Sequence, residues 1–176
     1  RIMGYSVYDT DSEAKRLMES SLEVVQKLSE CFGRDIYHNG RLNRGLLSSR
    51  VFGKSDKIVL LNSIVHPVVR FDFYRWSESL NEEICFVESA ILYEAGFQDT
   101  VDAVIMVYAP VELRIQRAMY RDGASEEQVR ARIAAQMDDE EKRRRADFTV
   151  VNDGVQLLIP QLNRIVEQLK TEKFIL

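Results

Sequence analysis

Four short apolar runs divide the chain and predict β-strands at residues 5–9, 84–89, 102–109 and 148–152. The last three are rich in Val, Ile or Phe and show little polar alternation. Nearly continuous apolar runs are typical of strands that are buried on both faces of a parallel sheet. The segments between them carry apolar residues at helical spacing. The pattern therefore predicts an α/β domain in which parallel strands are flanked by helices.

The connection between the first two predicted strands, residues 20–81, is too long for a simple crossover and reads as mostly helical. One helix is predicted to end at Gly33, a residue type favoured just after a helix. A turn is expected at Asn39-Gly40, and a second helix over 41–53. We interpret 20–81 as a helical insert that is able to cover a ligand.

A longer helical pattern covers residues 55–81. It should break near His66-Pro67, because proline lacks a backbone N–H and disfavours helix at the residue before it. One stripe of this pattern is predicted to face the core, and it comprises Val65, Val69, Phe73 and Trp76.

Three more helices are expected downstream of the third strand. The first covers 110–123 and closes on Gly123, and the second starts at a Ser125/Gln128 capping box and reaches Met137. The last covers about 156–170, with Leu162, Ile165, Val166 and Leu169 inward. Between the second and the last, residues 138–145 offer four acid–base pairs at i,i+4 spacing, namely Asp138/Lys142, Asp139/Arg143, Glu140/Arg144 and Glu141/Arg145.

The composition is that of an ordinary globular domain, with 45% hydrophobic and 30% charged residues in 176. The formal net charge of −4 argues against nucleic acid or an anionic membrane as a partner. Cys31 and Cys85 are far apart and lack any metal-site spacing, so a reducing, cytoplasmic setting is expected. No run is long enough for a membrane span, and no signal peptide is visible.

Acidic residues follow two of the predicted strands. Asp9 and Asp11 stand where the first strand meets a helix, and Glu88 ends the second, with Glu94 close behind. Helix capping is one interpretation, since Asp accepts hydrogen bonds from N-terminal N–H groups. The other is chemistry, because ligands of open α/β sheets bind at the carboxyl ends of strands. Such acids could hold Mg²⁺ through water or accept a hydroxyl proton.

A cationic stripe follows the third strand. Arg114, Arg117 and Arg121 are spaced i, i+3, i+7, and Arg132 and Gln136 repeat the pattern at i, i+4 on the next helix. Guanidinium groups match phosphate oxygens bidentately, so two such helices predict a clamp over a polyphosphate. A solvated helix face with intrahelical pairing is the alternative.

The motifs together resemble the dephospho-coenzyme A kinase family over essentially the whole chain. The family pattern V-I-D-A-D-x-I-A-R stands here as VYDTDSEAK, residues 7–15, and D-x-P-L-L-F-E as ESAILYE, residues 88–94. R-x-x-x-R-D appears as RAMYRD, residues 117–122, and R-I-x-x-Q as RIAAQ, residues 132–136. The remaining matches are Phe32-Gly33, Gly40, Leu42, Arg44, Leu47, Val51-Phe52, His66-Pro67, the KRRRAD segment 142–147 and the N-x-G at 152–154.

The resemblance implies ATP-dependent phosphorylation of the ribose 3′-hydroxyl of dephospho-coenzyme A, with Mg²⁺ accompanying ATP. Asp11 would be the general base, and Asp9 would orient the acceptor or a water on Mg²⁺ without binding the metal directly. Arg117 and Arg121 would complete the catalytic set. Expected substrate-binding residues are Lys15, Arg44, His66, Glu88 and Glu94. Expected ATP and lid residues are Arg114, Arg132, Gln136, Lys142 and Asn152.

The resemblance also implies a P-loop-kinase-like parallel sheet in one kinase domain. Its core would comprise residues 1–19, 82–111 and 146–176, with a coenzyme A-binding insert at 20–81 and a helical lid at 112–145. A monomer or weak homo-oligomer is expected.

Departures from the family pattern leave alternatives open. Glu88 replaces the usual Asp and Ala90 the usual Pro, which are mild changes. The family's phosphate loop, G-x-x-x-x-G-K-[ST], has no counterpart in the chain, and we expect it upstream of Arg1 in a longer, complete kinase. The alternatives are a binding module that has lost this loop, and another small-molecule kinase such as a nucleoside monophosphate kinase.

Overall fold

The chain forms two compact units, Arg1–Ala95 and Gly96–Leu176. The computed structural model describes residues 2–171. Each unit holds one pair of parallel strands with helices around it. All four predicted strands are present, and the predicted α/β class is confirmed.

The first unit is mainly helical. Its strands are β1 (Val7–Asp9), β2 (Tyr37–His38), β3 (Arg41–Leu42) and β4 (Phe86–Glu88). Its helices are α1 (Thr10–Ser20), α2 (Leu22–Phe32), α3 (Arg44–Val51) and α4 (Ser55–Ser79), with a 3₁₀ turn at Arg34–Ile36. Strands β1 and β4 are parallel, with Asp9 opposite Glu88 at their carboxyl ends.

The second unit begins with a 3₁₀ turn at Phe97–Thr100. Its strands are β5 (Ile105–Tyr108) and β6 (Phe148–Val151), which pair in parallel. Its helices are α5 (Val111–Asp122), α6 (Glu126–Ala134), α7 (Asp139–Arg145) and α8 (Leu158–Thr171). Ile115, Val129, Val150 and Ile165 are buried here and supply the core of this unit.

Helix α4 presents the predicted apolar stripe to the core of the first unit. Val65, Val69 and Phe73 are buried, and the rings of Phe73 and Trp76 pack against Tyr8 of β1 at centroid distances of 5.4 and 5.3 Å. Aromatic contacts at such separations add to the free energy gained from burial. The stripe therefore attaches α4 to the strand that carries Asp9.

The predicted break at His66-Pro67 is wrong, because α4 runs from Ser55 to Ser79 with Pro67 inside it. Proline removes one hydrogen bond to the carbonyl four residues earlier. Ile64 and Val65 before it and Val69 after it are all buried, so packing on both sides holds the helix together across the lost bond.

The turn at Asn39-Gly40 is confirmed, with φ of 49° at Asn39 and 75° at Gly40. Two successive positive φ angles suit a tight hairpin turn, and β2 and β3 pair on either side of it. The helix predicted over 41–53 is therefore too long at its start. It begins at Arg44, where the Asn43 side chain accepts from Leu46 N–H at 3.0 Å.

The charged segment 138–145 forms α7, but only part of its predicted pairing. Glu141 accepts from Arg145 at 2.6 Å, as predicted, and also binds Arg144. Asp139 instead pairs with Arg114 of α5, which supplies a partner from another helix. Arg143 lies over the Tyr108 ring, 5.4 Å from its centroid. The Asp139/Arg143 and Glu140/Arg144 predictions are therefore wrong.

No helix within residues 2–171 combines the length and the apolar character that a membrane span requires.

Candidate active site

Asp9 caps helix α1. Its Oδ1 accepts from the backbone N–H of Ser12 at 3.0 Å, and its Oδ2 accepts from the Ser12 hydroxyl at 3.0 Å. The Asp9 backbone is extended, as expected for a residue just before a helix. The cap of α1 is therefore Asp9 and not Asp11, although the sequence allows capping by either.

Asp11 lies in the first turn of α1 and is exposed. Among residues 2–171, no hydrogen bond or ion pair involves its carboxylate. Lys15 is exposed one helical turn further on. The two aspartates therefore differ in availability, since Ser12 engages both oxygens of Asp9 while Asp11 faces solvent.

Thr10 ties the ends of the two parallel strands together. Its buried hydroxyl donates to the backbone carbonyl of Glu88 at 2.9 Å. Because Glu88 is the register partner of Asp9, its exposed carboxylate is on the neighbouring strand end, as the sequence predicts. Glu94 is also exposed and lies in the turn segment after β4.

A polar network that the sequence did not reveal lies beside β1. The Tyr8 hydroxyl donates to Asp72 Oδ2 at 2.7 Å, and Arg16 Nη2 binds the same oxygen at 2.6 Å. Burial raises the pKa of the Tyr8 phenol far above its usual value, and the hydrogen bond to Asp72 raises it further. With Glu13 and Trp76, these side chains line a cavity of about 330 Å³.

Two predicted substrate-binding residues lie elsewhere in the first unit. Arg44, the first residue of α3, binds Glu19 of α1 at 3.4 Å. His66 is half-buried in α4. Burial lowers the pKa of its imidazole, and the positive charge of Arg70 lowers it further. His66 is therefore neutral at pH 7, and its chemistry there is that of a hydrogen-bonding group.

The predicted arginine stripe forms one wall of a cavity in the second unit. The cavity measures about 370 Å³ and lies between α5 and α6. Its polar lining is made of Arg114, Arg117, Arg121, Arg132 and Gln136. All five side chains that the spacing placed on two helix faces thus line one cavity, although α6 ends at Ala134, before the predicted Met137, and Gln136 lies just beyond it. Guanidinium groups gathered in this way can bind phosphate oxygens.

Arg117 connects this cavity to the loop after β6. Its Nη1 donates to the backbone carbonyl of Asn152 at 2.9 Å. The loop turns at Gly154, which has a φ of 86°, and the Asp153 carboxylate accepts from the N–H groups of Val155 and Gln156 at 2.9 and 2.8 Å. Those bonds lower the pKa of Asp153 and fix the loop beside Arg117.

Two carboxylates balance the cavity's positive charge, and the sequence did not identify either as a partner of these arginines. Asp122 binds both Arg121 and Arg132, and Asp139 binds Arg114. The sequence did hold one indication that Asp122 pairs with Arg121, because Asp122 is the final residue of the RAMYRD motif and directly follows Arg121. Lys142 Nζ donates to Oε1 of Gln136, which lines the cavity, at 3.4 Å, so the two predicted supporting residues do meet.

Within the described part of the chain, no group of three or more His, Cys, Asp or Glu side chains is arranged to hold a metal ion. The carboxylates of Asp9, Asp11 and Glu88 still provide oxygen atoms that can accept hydrogen bonds from the water molecules bound to Mg²⁺.

Comparison with known proteins bears on the identity of this site. The family model described as dephospho-CoA kinase matches residues 1–157. A protein of Bacteroides fragilis named dephospho-CoA kinase is 42% identical over 166 residues, which cover 94% of this chain and 81% of the relative. The corresponding protein of Porphyromonas gingivalis is 41% identical over 172 residues, covering 97% and 85%.

Solved structures agree with the sequence comparison. A crystal structure of a Thermus thermophilus protein superimposes with a TM-score of 0.81 at 34% identity, covering 96% of this chain and 87% of that one. A dephospho-CoA kinase from Campylobacter jejuni gives a TM-score of 0.64 at 25% identity, covering 96% and 85%. The predicted family is thereby confirmed, and this chain belongs to the dephospho-CoA kinase family.

Proposed function

We propose that this protein transfers the γ-phosphoryl group of ATP to the ribose 3′-hydroxyl of dephospho-coenzyme A, giving coenzyme A and ADP, which is the last step of coenzyme A biosynthesis. The observation that carries the proposal is the cavity between α5 and α6, where four arginines and one glutamine meet. A triphosphate is the substrate group that such a concentration of guanidinium charge suits best.

Asp11 is the proposed general base. The proton of the 3′-hydroxyl passes to its carboxylate as the hydroxyl oxygen forms a bond to the γ-phosphorus. The bond from that phosphorus to the bridging β-phosphate oxygen breaks, and its electron pair leaves with ADP. Asp11 suits this role because it is exposed and unengaged by any residue in 2–171, whereas Asp9 already accepts two hydrogen bonds.

The arginines supply the charge that this reaction requires. Phosphoryl transfer involves little covalent chemistry for the protein, so positioning and charge stabilisation dominate. Arg117, Arg121 and Arg132 are assigned to the phosphates, and Arg114 helps to shape the cavity through its pair with Asp139. Gln136 and Lys142 support that wall, and Asn152 lies on the loop assigned to the adenine.

Mg²⁺ is the proposed companion of ATP, and when bound it neutralises phosphate charge. The acids at the ends of β1 and β4 fit an ion that keeps several of its waters. Ser12 takes one acceptor position on each oxygen of Asp9, and a carboxylate offers about four such positions in all. It would therefore hold such a water, or orient the acceptor, without direct contact with the metal.

The acceptor is assigned to the first unit. Lys15, Arg44 and His66 are the proposed contacts with dephospho-coenzyme A, together with Glu88 and Glu94. Lys15 and Arg44 offer positive charge to its phosphates, whereas His66 is neutral at pH 7 and offers only hydrogen bonds. Residues 20–81 form the proposed coenzyme A-binding insert, and 112–145 the proposed lid.

The proposed setting is the cytoplasm, with the protein acting as a monomer or weak homo-oligomer. Cys31 and Cys85 are not disulfide-bonded, which suits a reducing compartment. Sedimentation at micromolar concentration measures the oligomeric state, and a stable tetramer would contradict this part of the proposal.

The decisive experiment is a coupled assay of ADP release with ATP, Mg²⁺ and dephospho-coenzyme A. It is run on the 176-residue chain and on the product of the whole open reading frame. Coenzyme A, already phosphorylated at the 3′ position, is one control acceptor, and AMP is a second. Neither control should give ADP. Turnover with dephospho-coenzyme A alone supports the proposal. Binding of dephospho-coenzyme A without turnover in either protein would instead indicate a binding module.

A further inference from the structure

One carboxylate at the end of α5 holds two of the cavity's arginines. Asp122 Oδ1 accepts from Arg121 Nε at 2.8 Å, and its Oδ2 accepts from Arg121 Nη2 at 3.3 Å and from Arg132 Nη1 at 2.8 Å. Among residues 2–171, no other carboxylate pairs with either arginine. Both oxygens of Asp122 are thus engaged by cations that come from two different helices.

The chain path between the helices creates this convergence. Gly123 closes α5 in the left-handed conformation, with a φ of 64°, and Ser125 starts α6 with its capping box. The reversal brings Arg132 back to Asp122, ten residues earlier in the chain. Gly123 is used here because the turn requires a positive φ that other residues rarely adopt.

Stability does not account for this arrangement. The Arg121 side chain is 77% exposed and that of Arg132 is 56% exposed, whereas that of Asp122 is only 25% exposed. Ion pairs with such exposed cations contribute little to the free energy of folding. The arginine heads instead remain open to the cavity with spare donors. An arginine side chain has five N–H groups. Asp122 engages two of them on Arg121 and one on Arg132, which leaves three N–H groups on Arg121 and four on Arg132 for a ligand.

The two arginines hold Asp122 ionised. Hydrogen bonds from Arg121 and Arg132 lower the pKa of its carboxyl group to about 2. The carboxylate therefore keeps its charge, and its hold on both guanidinium groups, throughout the pH range in which a kinase works.

We propose that Asp122 is a positioning residue that arranges Arg121 and Arg132 for the nucleotide phosphates before the nucleotide binds. The inference rests on the proposed function. Because Asp122 already restrains them, the two guanidinium groups are held where charge develops on the phosphates during transfer, and this exact placement acts on the reaction barrier and therefore on kcat. Asp122 also lowers the cavity's net positive charge, so its contribution is to orientation and not to electrostatic attraction of ATP.

The test compares Asp122→Asn with the matched control Glu112→Gln. Glu112 is also on α5 and also binds an arginine of α6, since its carboxylate lies 3.0 Å from Arg130 Nη2. Neither Glu112 nor Arg130 lines the cavity. We expect Asp122→Asn to lower kcat by about tenfold to a hundredfold while KM for ATP stays level or falls. Glu112→Gln should leave kcat unchanged, and Asp122→Glu should recover part of the loss. An unchanged kcat in Asp122→Asn, an equal loss in Glu112→Gln, or a rise in KM alone would overturn the proposal.

A second readout does not depend on turnover. Relaxation of arginine Nε–H signals in the nucleotide-free protein should show Arg121 and Arg132 becoming mobile in Asp122→Asn and staying ordered in Glu112→Gln. Should the wild-type protein fail to phosphorylate dephospho-coenzyme A, the proposed function falls, and this measurement alone still decides whether Asp122 restrains the two arginines. Equal mobility of both arginines in the wild type and in Asp122→Asn would overturn the positioning role.

Discussion

Asp9 and Asp11 are two residues apart, yet the first turn of α1 gives them different environments. Asp9 is the last residue of β1, and the helix start directs the N–H of Ser12 toward its carboxylate. Asp11 is already inside the helix and its side chain faces solvent. Sequence spacing alone left capping open for both. The choice depends on where the first helical turn begins, which sequence patterns locate only within a residue or two.

Replacing Asp11 with Asn should reduce kcat by at least about a hundredfold, because a positioned general base contributes about 10² to 10⁴ in rate. KM for ATP should stay close to the wild-type value, since ATP is assigned to other residues. The measurement is steady-state ADP release. Glu23→Gln is the matched control, because Glu23 occupies the same second position of α2 and its replacement weakens the same helix-dipole interaction. Unchanged turnover in Asp11→Asn would remove Asp11 as the base.

His66 should make stability depend on pH below neutrality. Burial, aided by Arg70, lowers the pKa of its imidazole in the folded protein below the ordinary 6.5. The unfolded chain therefore binds the proton first as the pH falls. The stability that neutral His66 contributes is complete above about pH 6.5 and is lost as the pH falls through the folded-state pKa.

Urea denaturation at pH 7.5, 6.5 and 5.5 measures this dependence. His66→Gln should show a shallower decline in the free energy of unfolding than the wild type, whereas His38→Gln should keep the wild-type decline. His38 is the control because it is the other of the two histidines in the chain and is exposed in β2. Parallel declines for the wild type and His66→Gln would contradict the expectation.

The sequence predicted which residues line the cavity better than it predicted which side chains form ion pairs with them. Helical spacing placed Arg114, Arg117 and Arg121 on one face, and they do share one wall. The sequence paired Asp139 with Arg143 within α7, whereas the structure pairs it with Arg114 of α5. Pairing within a helix follows from spacing, but pairing between helices depends on how the chain turns between them, which local patterns do not contain.

At the scale of elements, strand positions were predictable and the continuity of α4 was not. The strands are short apolar runs with clear ends, so their centres follow from composition. Local rules correctly identify Pro67 as a helix breaker. They omit the burial of Ile64, Val65 and Val69 around it, which outweighs one missing hydrogen bond. The β2–β3 hairpin was missed for a related reason, because two-residue strands carry too little periodicity to detect.

Pro67→Ala should therefore stabilise the first unit. Restoring the N–H removes a cost of about 3 kcal/mol for proline inside a helix. The greater freedom of the unfolded chain offsets up to about 1 kcal/mol, which leaves a gain of about 2 kcal/mol. Chemical denaturation measures it, with Ser63→Ala, one turn earlier on α4, as the control for helix propensity; this control also removes the exposed bond from the Ser63 hydroxyl to the Leu60 carbonyl. A gain no larger than that of Ser63→Ala would show that α4 already accommodates the proline without cost.

At the scale of the whole molecule, the proposed chemistry divides between two units that each have their own core. The assigned acceptor residues lie on α1, α3, α4 and β4 in the first unit, with Glu94 in the turn that follows. The assigned ATP residues lie on α5, α6, α7, the link between α6 and α7, and the loop after β6 in the second. Because a ligand stabilises the elements that it binds, each substrate should leave a distinct pattern of amide protection.

Hydrogen exchange measured with ATP alone should slow exchange in α5, α6 and residues 152–156. With dephospho-coenzyme A alone, the slowing should lie in α1, α3 and α4. Helix α8 carries none of the assigned residues and lies outside both the proposed insert and the proposed lid, so it serves as the internal reference. At a ligand concentration a hundred times Kd, binding stabilises the bound state by about 2.7 kcal/mol, enough to slow exchange by about a hundredfold where opening requires release of the ligand. Protection by ATP confined to α3 and α4 would reverse the assignment of the two substrates, because it would place the triphosphate away from the arginines of α5 and α6.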